Sequence, residues 1–329
     1  MNKYKKLIDE AKKGNFNLKE FLTRSEGTEL FVDVLHDKLF EGVQDELPDE
    51  AVSLFDEVPL ANGSVLRFPS MRGANPDLVP ENGEYQRGEW EITAVSVEPQ
   101  KFGLLLGITR EMIDESQLSM IGRQVKIAGM GHRELRRNEH MKCISVYSTG
   151  PAVATGIIGI TDHGLRYPTL GYTNFFSGTA MSWEARISQA ITTLMNQRVT
   201  ITAKGIDIPF PVRPDFILAN PHHMTDIQKV LNANITVVSV GISTGSTPNV
   251  AGSNVFRGIL KKQVYDPTIP TGQCFVGASL RGLVSVRKYG LQMEEFQNFY
   301  FDANDLKSRE KFLPAVVEER CICDIQITG

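Results

Sequence analysis

The chain has 329 residues, of which 41% are hydrophobic and 22% are charged, and its formal net charge is −4. These values fit a folded chain with room for two or three compact lobes, and the negative charge argues against a dedicated high-affinity nucleic-acid binder. No apolar run reaches the length of a membrane span, no signal peptide is present, and four cysteines do not form a disulfide framework. The composition predicts a soluble cytosolic protein with no membrane contact.

The first 58 residues are predicted to be helical in pieces, and they divide sharply by charge. Residues 1–24 carry seven Lys or Arg against three Asp or Glu, whereas residues 25–60 carry eleven acidic residues against Lys38 alone. Two apolar stripes, within residues 18–22 and 30–39, are each too short for a stable isolated helix. Either the charges form an ordinary solvated helix face, or the segment is an arm across neighbouring subunits. The sharp segregation favours the arm.

Residues 59–109 are predicted to form a two-stranded excursion. A short strand at residues 64–68 is stopped by Pro69, a turn-rich segment follows, and residues 90–97 alternate like a strand. The apolar face changes between Ala94 and Val95, which suggests a local twist or a bulge. Because an isolated hairpin is only marginally stable in water, we expect this one to act as a clasp on another subunit. The residues assigned to that inter-subunit contact are Glu81, Glu84, Arg87, Glu89 and Trp90.

From Glu111 to about Tyr147 the apolar spacing predicts one very long helix. Gly122, Gly129 and Gly131 lie inside it, and a glycine in a helix interior costs about 1 kcal/mol relative to alanine. Three such residues indicate close backbone packing or a bend. A break of the helix near the last two of them is the alternative.

Residues 151–285 are predicted to form a separate mixed lobe. Ser182 is a candidate N-cap of a helix, residues 215–219 form a buried strand, and Asn220-Pro221 opens the next helix. Residues 241–253 contain little beyond Gly, Ser, Thr, Pro and Asn, so they are predicted to be a surface loop.

The C-terminal part is predicted to be rich in β-structure. Residues 311–323 are expected to form one long final strand, so that the chain ends inside a sheet.

Few side chains suggest chemistry. Three groups invite a metal or redox interpretation: His222-His223 with Asp226, Cys321 with Cys323, and His132 with His140. Adjacent helical histidines point about 100° apart and do not readily chelate one ion. The two cysteines would share a strand face as buried reduced thiols, and histidines eight apart on a helix are roughly 12 Å apart. No nucleotide-binding loop or hydrolase motif is present. We predict no catalytic, metal-binding or cofactor-binding residue and no cofactor.

Five segments, in chain order, resemble the major capsid protein family of tailed bacteriophages, whose fold also builds encapsulin shells. They are Val79 to Tyr85, Phe102 to Ser116, Pro214 to Pro221, Phe275 to Ala278 with Arg287 to Leu291, and Phe301 to Arg320. The resemblance implies an α+β fold, the tailed-phage major capsid protein fold. Its parts are the N-terminal arm (1–58), the extended β-hairpin loop (59–109), the peripheral domain with a long spine helix (110–150), the axial domain (151–285) and the closing strands of the peripheral domain (286–329).

The resemblance further implies a structural, non-enzymatic protein of the virion that is assembled in the host cytoplasm. Hexamers and pentamers of the chain would form an icosahedral shell around double-stranded DNA, with a portal protein as partner. The arm starts directly after Met1 and leaves no room for a scaffolding domain, so a separate scaffolding protein is expected. Some family members weld subunits through a loop lysine, but no lysine occurs between Lys38 and Lys101. A cement protein that decorates the shell is therefore a candidate partner.

Weak, sequence-independent contact with packaged DNA is predicted for two basic segments on the inner face of the shell. The residues are Lys3, Lys5, Lys6, Lys12, Lys13, Arg133, Arg136 and Arg137. The alternative is that the lysines pair with the acids of residues 25–60 and the arginines with Glu134 and Glu139 on their own helix.

Two other functions compete with the phage shell. An encapsulin-like compartment would have the same fold, and a cytosolic α+β enzyme would have its site near residues 241–253. The long extended loop and the arm of 58 residues favour the phage shell.

Overall fold

The structure, a computed structural model, describes residues 25–44, 50–72, 91–109, 111–112, 118–145, 175–177, 181–196, 198–201, 206–209, 211–232, 235–236, 251–252, 255–298 and 303–327. Its α-helices are α1 (Ser25–Gln44), α2 (Leu118–Ser145), α3 (Trp183–Met195), α4 (Met224–Asn232) and α5 (Val255–Ile259). Its strands are β1 (Asp56–Pro59), β2 (Leu66–Arg72), β3 (Glu91–Val97), β4 (Gln100–Thr109), β5 (Phe175–Ser177), β6 (Arg198–Ile201), β7 (Ile206–Pro209), β8 (Phe216–Ala219), β9 (Ile235–Thr236), β10 (Ala251–Gly252), β11 (Lys262–Tyr265), β12 (Gln273–Gly277), β13 (Leu283–Asn298), β14 (Ala303–Val316) and β15 (Ile322–Gln326).

Two sheets organise the described residues. The first has the order β1-β13-β14-β4, in which β13, β14 and β4 are antiparallel neighbours and β1 runs parallel to β13. The second has the order β11-β8-β12-β15-β5 and mixes parallel with antiparallel pairs. Three two-stranded ribbons, β2-β3, β6-β7 and β9-β10, complete the strand pairing.

The first sheet carries the long helix. Strands β13 and β14 form a hairpin whose register shifts on either side of Tyr289, and such bulges increase the local twist of a sheet. Helix α2 packs on β14 and β4 through Ile121, Val125 and Ala128, which share a buried cluster with Ile108 of β4. The predicted long helix is thus confirmed. It runs without a break through Gly129 and Gly131, so the alternative of two shorter helices is wrong.

Helix α1 lies on α2 of the same chain. Its apolar stripe, Phe31, Leu35 and Leu39, is buried in the cluster that holds α2 to the first sheet. This stripe is the second of the two predicted between residues 1 and 58. A short helix needs tertiary packing to be stable, and α2 provides the surface on which α1 packs. The first stripe, residues 18–22, lies outside the described residues.

Two helices cover the second sheet. Ser182 caps α3 by accepting a hydrogen bond from the Ala185 amide at 3.3 Å, as predicted. All four residues of β8 are buried, and Asn220 then caps a single 3₁₀ turn that leads into α4. Ile187 of α3 and Ile227 of α4 lie in one apolar cluster with this sheet. These local predictions are confirmed.

A third cluster joins the two sheets. It combines Phe216 and Phe275 of the second sheet with Val286 of the first and Ile144 near the end of α2. Because one continuous core contains residues of both sheets, the C-terminal half of α2 is fixed between them.

The structure corrects two details of the predicted excursion. Pro69 does not stop the first strand, since β2 continues to Arg72. A strand in a two-stranded ribbon has one open edge, where a missing N–H group costs no ladder hydrogen bond. The pairing of β2 with β3 is also regular across Ala94 and Val95, which excludes a bulge there and leaves the local twist as the remaining prediction.

The predicted long final strand is also wrong. Strand β14 ends at Val316, a 3₁₀ turn at Glu319–Cys321 follows, and β15 pairs with β12 and β5 of the second sheet. Residues 286–329, which the sequence grouped as closing strands of one domain, are therefore divided between both sheets. At the other end of the chain, β1 pairs with β13, although three of its four residues belong to the predicted arm.

Candidate functional site

The ribbon β2-β3 is the first surface that could contact another molecule. Its base is anchored in the core shared by the two sheets, where Val97 is fully buried and Leu66 and Phe68 are partly buried. Lys288 holds the turn before β2 by donating to the carbonyl oxygen of Gly63 at 2.8 Å. The residues predicted for the inter-subunit contact, Glu81, Glu84, Arg87, Glu89 and Trp90, lie outside the described residues. Their role stays a prediction.

The outer edge of the first sheet is a second such surface. Among the residues that the structure describes, strand β4 is the last strand of this sheet, and it pairs with β14 along its whole length. The side chains of Leu104 and Leu105 are exposed, and Lys101 is the only charged residue of the strand. A long edge strand with exposed apolar residues is a template for pairing with another chain.

Helix α2 is fixed to the first sheet by buried polar contacts. Glu310 on β14 is only 1% exposed and accepts hydrogen bonds from His132 Nδ1 at 2.8 Å and from Arg136 Nε at 2.6 Å. His132 Nε2 lies 2.8 Å from the hydroxyl of Ser308. Burial by itself would raise the pKa of Glu310, but the hydrogen bond from His132 and the charge of Arg136 outweigh it and hold the pKa below its usual value.

Arg137 ties the same helix to the segment after β11. Its Nε donates to Asp266 Oδ2 at 2.6 Å, and the other oxygen of this buried carboxylate accepts from the amide and hydroxyl of Thr268. The contact that the sequence suggested, between Arg137 and Glu134, is also present, at 3.8 Å. Glu139 pairs with Lys142 instead.

These contacts bear on the predicted DNA-contact residues without testing them. Arg136 and Arg137 each hold a buried carboxylate, Glu310 and Asp266 respectively, so both have a structural role. Arg133 belongs to the same helix. The lysines of that prediction, Lys3, Lys5, Lys6, Lys12 and Lys13, lie outside the described residues. Sequence reasoning missed Glu310 and Asp266, since neither carboxylate has a local signal.

Burial shifts the pKa values of two titratable groups in opposite directions. His140 on α2 donates from Nδ1 to the carbonyl oxygen of Arg136 at 2.7 Å, and burial lowers its pKa to about 4, helped by the charges of Arg287 and Arg136. Asp324 on β15 is fully buried, and neither of its carboxylate oxygens has a hydrogen-bond partner in the part of the chain that the structure describes. Burial raises its pKa to about 7.

We expect single variants of His140 and Asp324 to change the slope of the unfolding free energy against pH in opposite directions. As pH falls from 6.5 to about 4, His140 protonates only in the unfolded chain, which costs the fold about 3 kcal/mol. As pH rises from 3.8 to about 7, Asp324 ionises only in the unfolded chain, which costs about 4 kcal/mol. Asp324→Asn should therefore lose stability on acidification, and His140→Gln should gain it. Urea unfolding at several pH values between 4 and 7.5 measures both slopes, and two variants that track the wild type would contradict the assignment.

The candidate metal and redox residues are separately engaged. His223 contacts the carbonyl oxygen of Thr271 at 2.5 Å, and the side chain of Asp226 pairs with Lys229 at 3.1 Å. In the described residues, no three His, Cys, Asp or Glu side chains are grouped closely enough to hold a metal ion.

All four cysteines are buried and free, as predicted. Cys321 lies in a 3₁₀ turn and not on the predicted strand, but it reaches the same apolar cluster as Cys323. Burial raises the pKa of the Cys321 thiol to about 12 and raises those of Cys143, Cys274 and Cys323 as well. These thiols are therefore protonated and unreactive at neutral pH.

A serine, a lysine and an aspartate do meet at one end of the second sheet. The Ser279 hydroxyl donates to Asp215 and accepts from Lys262 Nζ at 3.0 Å. Lys262 also donates to the carbonyl oxygen of Ser53 at 3.3 Å. Because the Lys262 ammonium donates to the Ser279 hydroxyl, it cannot also accept the proton of that hydroxyl. These contacts therefore hold neighbouring segments together and do not activate Ser279 as a nucleophile.

Among the helices that the structure describes, none is both long and apolar enough to span a bilayer.

Comparison with solved structures identifies the fold. The structure titled Microbacterium phage Oxtober96 has a TM-score of 0.54 and 9% sequence identity, covering 84% of this chain and 90% of that one. The structure titled Mycobacterium phage Adephagia has a TM-score of 0.54 and 9% identity, covering 86% and 92%. The mature capsid of bacteriophage PhiM1 has a TM-score of 0.51 and 11% identity, covering 85% and 87%. These likenesses confirm the predicted α+β capsid fold.

Sequence comparison assigns the family. No curated protein sequence matches the chain. The profile of the phage capsid protein family, however, matches residues 92–325, which are 234 of the 329 residues. That stretch includes strand β4, the long helix α2, most of the first sheet and all of the second except the last residue of β15. The chain belongs to the phage capsid protein family.

Proposed function

We propose that the chain is the major capsid protein of a tailed phage and assembles as hexamers and pentamers into an icosahedral shell around double-stranded DNA. The observation that carries the proposal is the family match over residues 92–325, and the fold shared with phage structures agrees with it. Membership of a capsid family makes the chain a structural protein of the virion and not an enzyme, as the sequence predicted.

The two surfaces described above support assembly between copies. In the described part of the chain, strand β4 has an open edge with exposed Leu104 and Leu105, and the ribbon β2-β3 has only two paired strands. Edge strands and short ribbons are stabilised when another chain covers them. For the complete particle we further propose a portal protein, a separate scaffolding protein and a cement protein as partners, with assembly in the host cytoplasm and weak non-specific contact with DNA.

The size of the purified full-length protein tests the proposal. We expect megadalton particles, or capsomers that convert into them, in light scattering and in negative-stain images. A monomer or small oligomer under all assembly conditions would contradict the shell. The contents of particles from the natural host separate the related alternative, since a phage shell encloses genomic DNA and an encapsulin-like compartment encloses a protein cargo.

Deleting residues 73–88 is expected to abolish stable shells and to leave a folded subunit. The deleted segment contains most of the predicted contact residues, and surface ion pairs contribute only about 0–1 kcal/mol each. Many weak contacts must therefore add over the shell, and their joint loss removes the clasp. Circular dichroism and urea unfolding check that the variant is folded, and negative-stain imaging checks assembly. Normal, stable particles would show that the segment is not the clasp.

We expect mature shells to dissociate without covalent ladders, because no lysine lies between Lys38 and Lys101 to weld the loop. Boiled and reduced particles should run near the 36.6 kDa monomer on a denaturing gel. Higher bands that survive this treatment would show that another residue supplies a cross-link.

A further inference from the structure

Three large apolar side chains of α2 are exposed on one side of the helix, alongside the exposed charged residues Arg123 and Glu134. Met120, Ile127 and Met130 are 50%, 56% and 39% exposed, and their spacing places them on one side of the helix, opposite the side that packs on the first sheet. We call these three residues the α2 stripe. An exposed patch of large apolar side chains marks an interaction site, and methionine adapts its shape to a partner.

The acidic surface of α1 borders the α2 stripe. Glu41 Oε1 lies 3.3 Å from Lys126 Nζ, and Lys126 is one helical turn before Met130. Asp37, one turn before Glu41, is also exposed. Helix α1 carries five acidic residues against Lys38 alone. A partner that covers both surfaces needs an apolar side and a basic side.

The chain itself contains such a segment. Residues 3–13 carry five lysines against Asp9 and Glu10, and their apolar residues Tyr4, Leu7, Ile8 and Ala11 follow the three-and-four spacing of a helix face. We propose that residues 3–13 dock on their own chain, with these apolar side chains on the α2 stripe and the lysines facing the acids of α1.

The length of the linking segment permits this docking. Residues 14–24 are eleven residues, which reach at most about 36–40 Å when fully extended. Helix α1, which follows directly, is 20 residues or about 30 Å long. The linker joins α1 at its N-terminal end and is long enough to run back along the whole helix, so it can bring residues 3–13 to α2.

The docked arrangement gives the lysines a different role from DNA contact. Lys3, Lys5, Lys6, Lys12 and Lys13 would neutralise the acidic face of α1 inside one subunit, so they would not be free to contact phosphates. This inference does not depend on shell assembly, because both surfaces belong to the isolated chain.

Engineered disulfides test the docking directly. Because all four native cysteines are buried, a new pair at Ala11→Cys and Ile127→Cys should react selectively. Mild oxidation should convert most of this variant into a faster-migrating monomer on a non-reducing gel. The control pairs Ala11→Cys with Met195→Cys on α3, which is 38% exposed, nearly as much as Met130 of the α2 stripe, and should not cross-link. A dimer band would overturn docking on the same chain, and equal reaction of both pairs would overturn docking altogether.

Hydrogen exchange of the full-length protein provides a second test that needs no cysteine. Amides of residues 3–13 should exchange about tenfold more slowly than in the free peptide. Ile127→Asp with Met130→Asp should remove this protection, Met195→Asp should preserve it, and neutralising the five lysines should weaken it. Unprotected amides in the wild type would overturn the proposal. So would lysine variants that keep full protection but retain less DNA in particles, since the lysines would then serve the genome.

Discussion

Replacing Gly129 with alanine is expected to separate α1 from α2 and to destabilise the subunit. A Cβ atom at this position would lie 2.2 Å from the carbonyl oxygen of Leu39 and 3.1 Å from the Cα atom of Gly42. Backbone atoms cannot rotate away, so the helices must move apart. Overpacking costs about 1–3 kcal/mol and occasionally more, and here it should exceed the helix-propensity gain of about 1 kcal/mol from Gly to Ala.

The contact is reciprocal, which provides an independent variant. A Cβ atom at Gly42 would lie 2.2 Å from the carbonyl oxygen of Lys126, so Gly42→Ala should have the same effect. Hydrogen exchange of α1 and urea unfolding of the full-length protein measure the loss.

Gly131→Ala is the matched control in the same helix. A Cβ atom there would meet nothing within 4 Å. Because only the propensity gain remains, we expect this variant to be more stable than the wild type by about 0.5–1 kcal/mol. If Gly129→Ala and Gly131→Ala were equally stable, the close approach of α1 and α2 would be wrong.

Replacing Glu310 with alanine is expected to cost about 3–5 kcal/mol of stability, the usual penalty for breaking a buried ion pair. The variant leaves the charge of Arg136 partly buried, with its side chain 17% exposed, and leaves His132 without its carboxylate partner. Urea unfolding at pH 7, followed by circular dichroism, measures the loss.

Acid should narrow the difference between the Glu310→Ala variant and the wild type. The folded-state pKa of Glu310 is lower than its unfolded value of 4.5, so its contribution is present above pH 4.5 and is lost as pH falls below that value. A difference that stayed constant down to pH 3 would contradict a charged Glu310 in the folded chain.

Two further variants separate the buried charge from a general effect of mutation. Glu134→Ala removes an exposed carboxylate from helix α2 that lies 3.8 Å from Arg137. This variant should change stability by less than about 1 kcal/mol. Adding Arg136→Met to Glu310→Gln removes the orphaned charge and should restore part of the stability that Glu310→Gln alone loses. A loss in Glu310→Ala no larger than that in Glu134→Ala would show that the contact is not structural.

The candidate assembly surfaces were only partly readable from the sequence. The ribbon β2-β3 was predicted because its alternation and flanking turns are local signals. The open edge of β4 was not predicted, because a strand is an edge only after every other strand has taken its place. The α2 stripe was likewise hidden, since Met120, Ile127 and Met130 fit an apolar helix pattern and only packing shows which apolar side is exposed.

What the sequence determined by itself was local. The periodicity of α2, the Ser182 cap of α3 and the buried strand β8 all depend on residues within a few positions of one another. Such signals depend on backbone geometry and short-range hydrogen bonding, which the chain carries wherever it folds.

The tertiary structure alone decided the long-range partners. His132 and Glu310 are 178 residues apart. After β14 of the first sheet the chain passes to β15, which pairs in the second sheet. Gly129 differs from Gly131 only because α1 crosses α2 at Gly129. Buried ion pairs, strand neighbours and close backbone contacts form between segments distant in sequence, and no local pattern records which segments meet. The sequence therefore predicted the elements, and packing decided which residues hold them together.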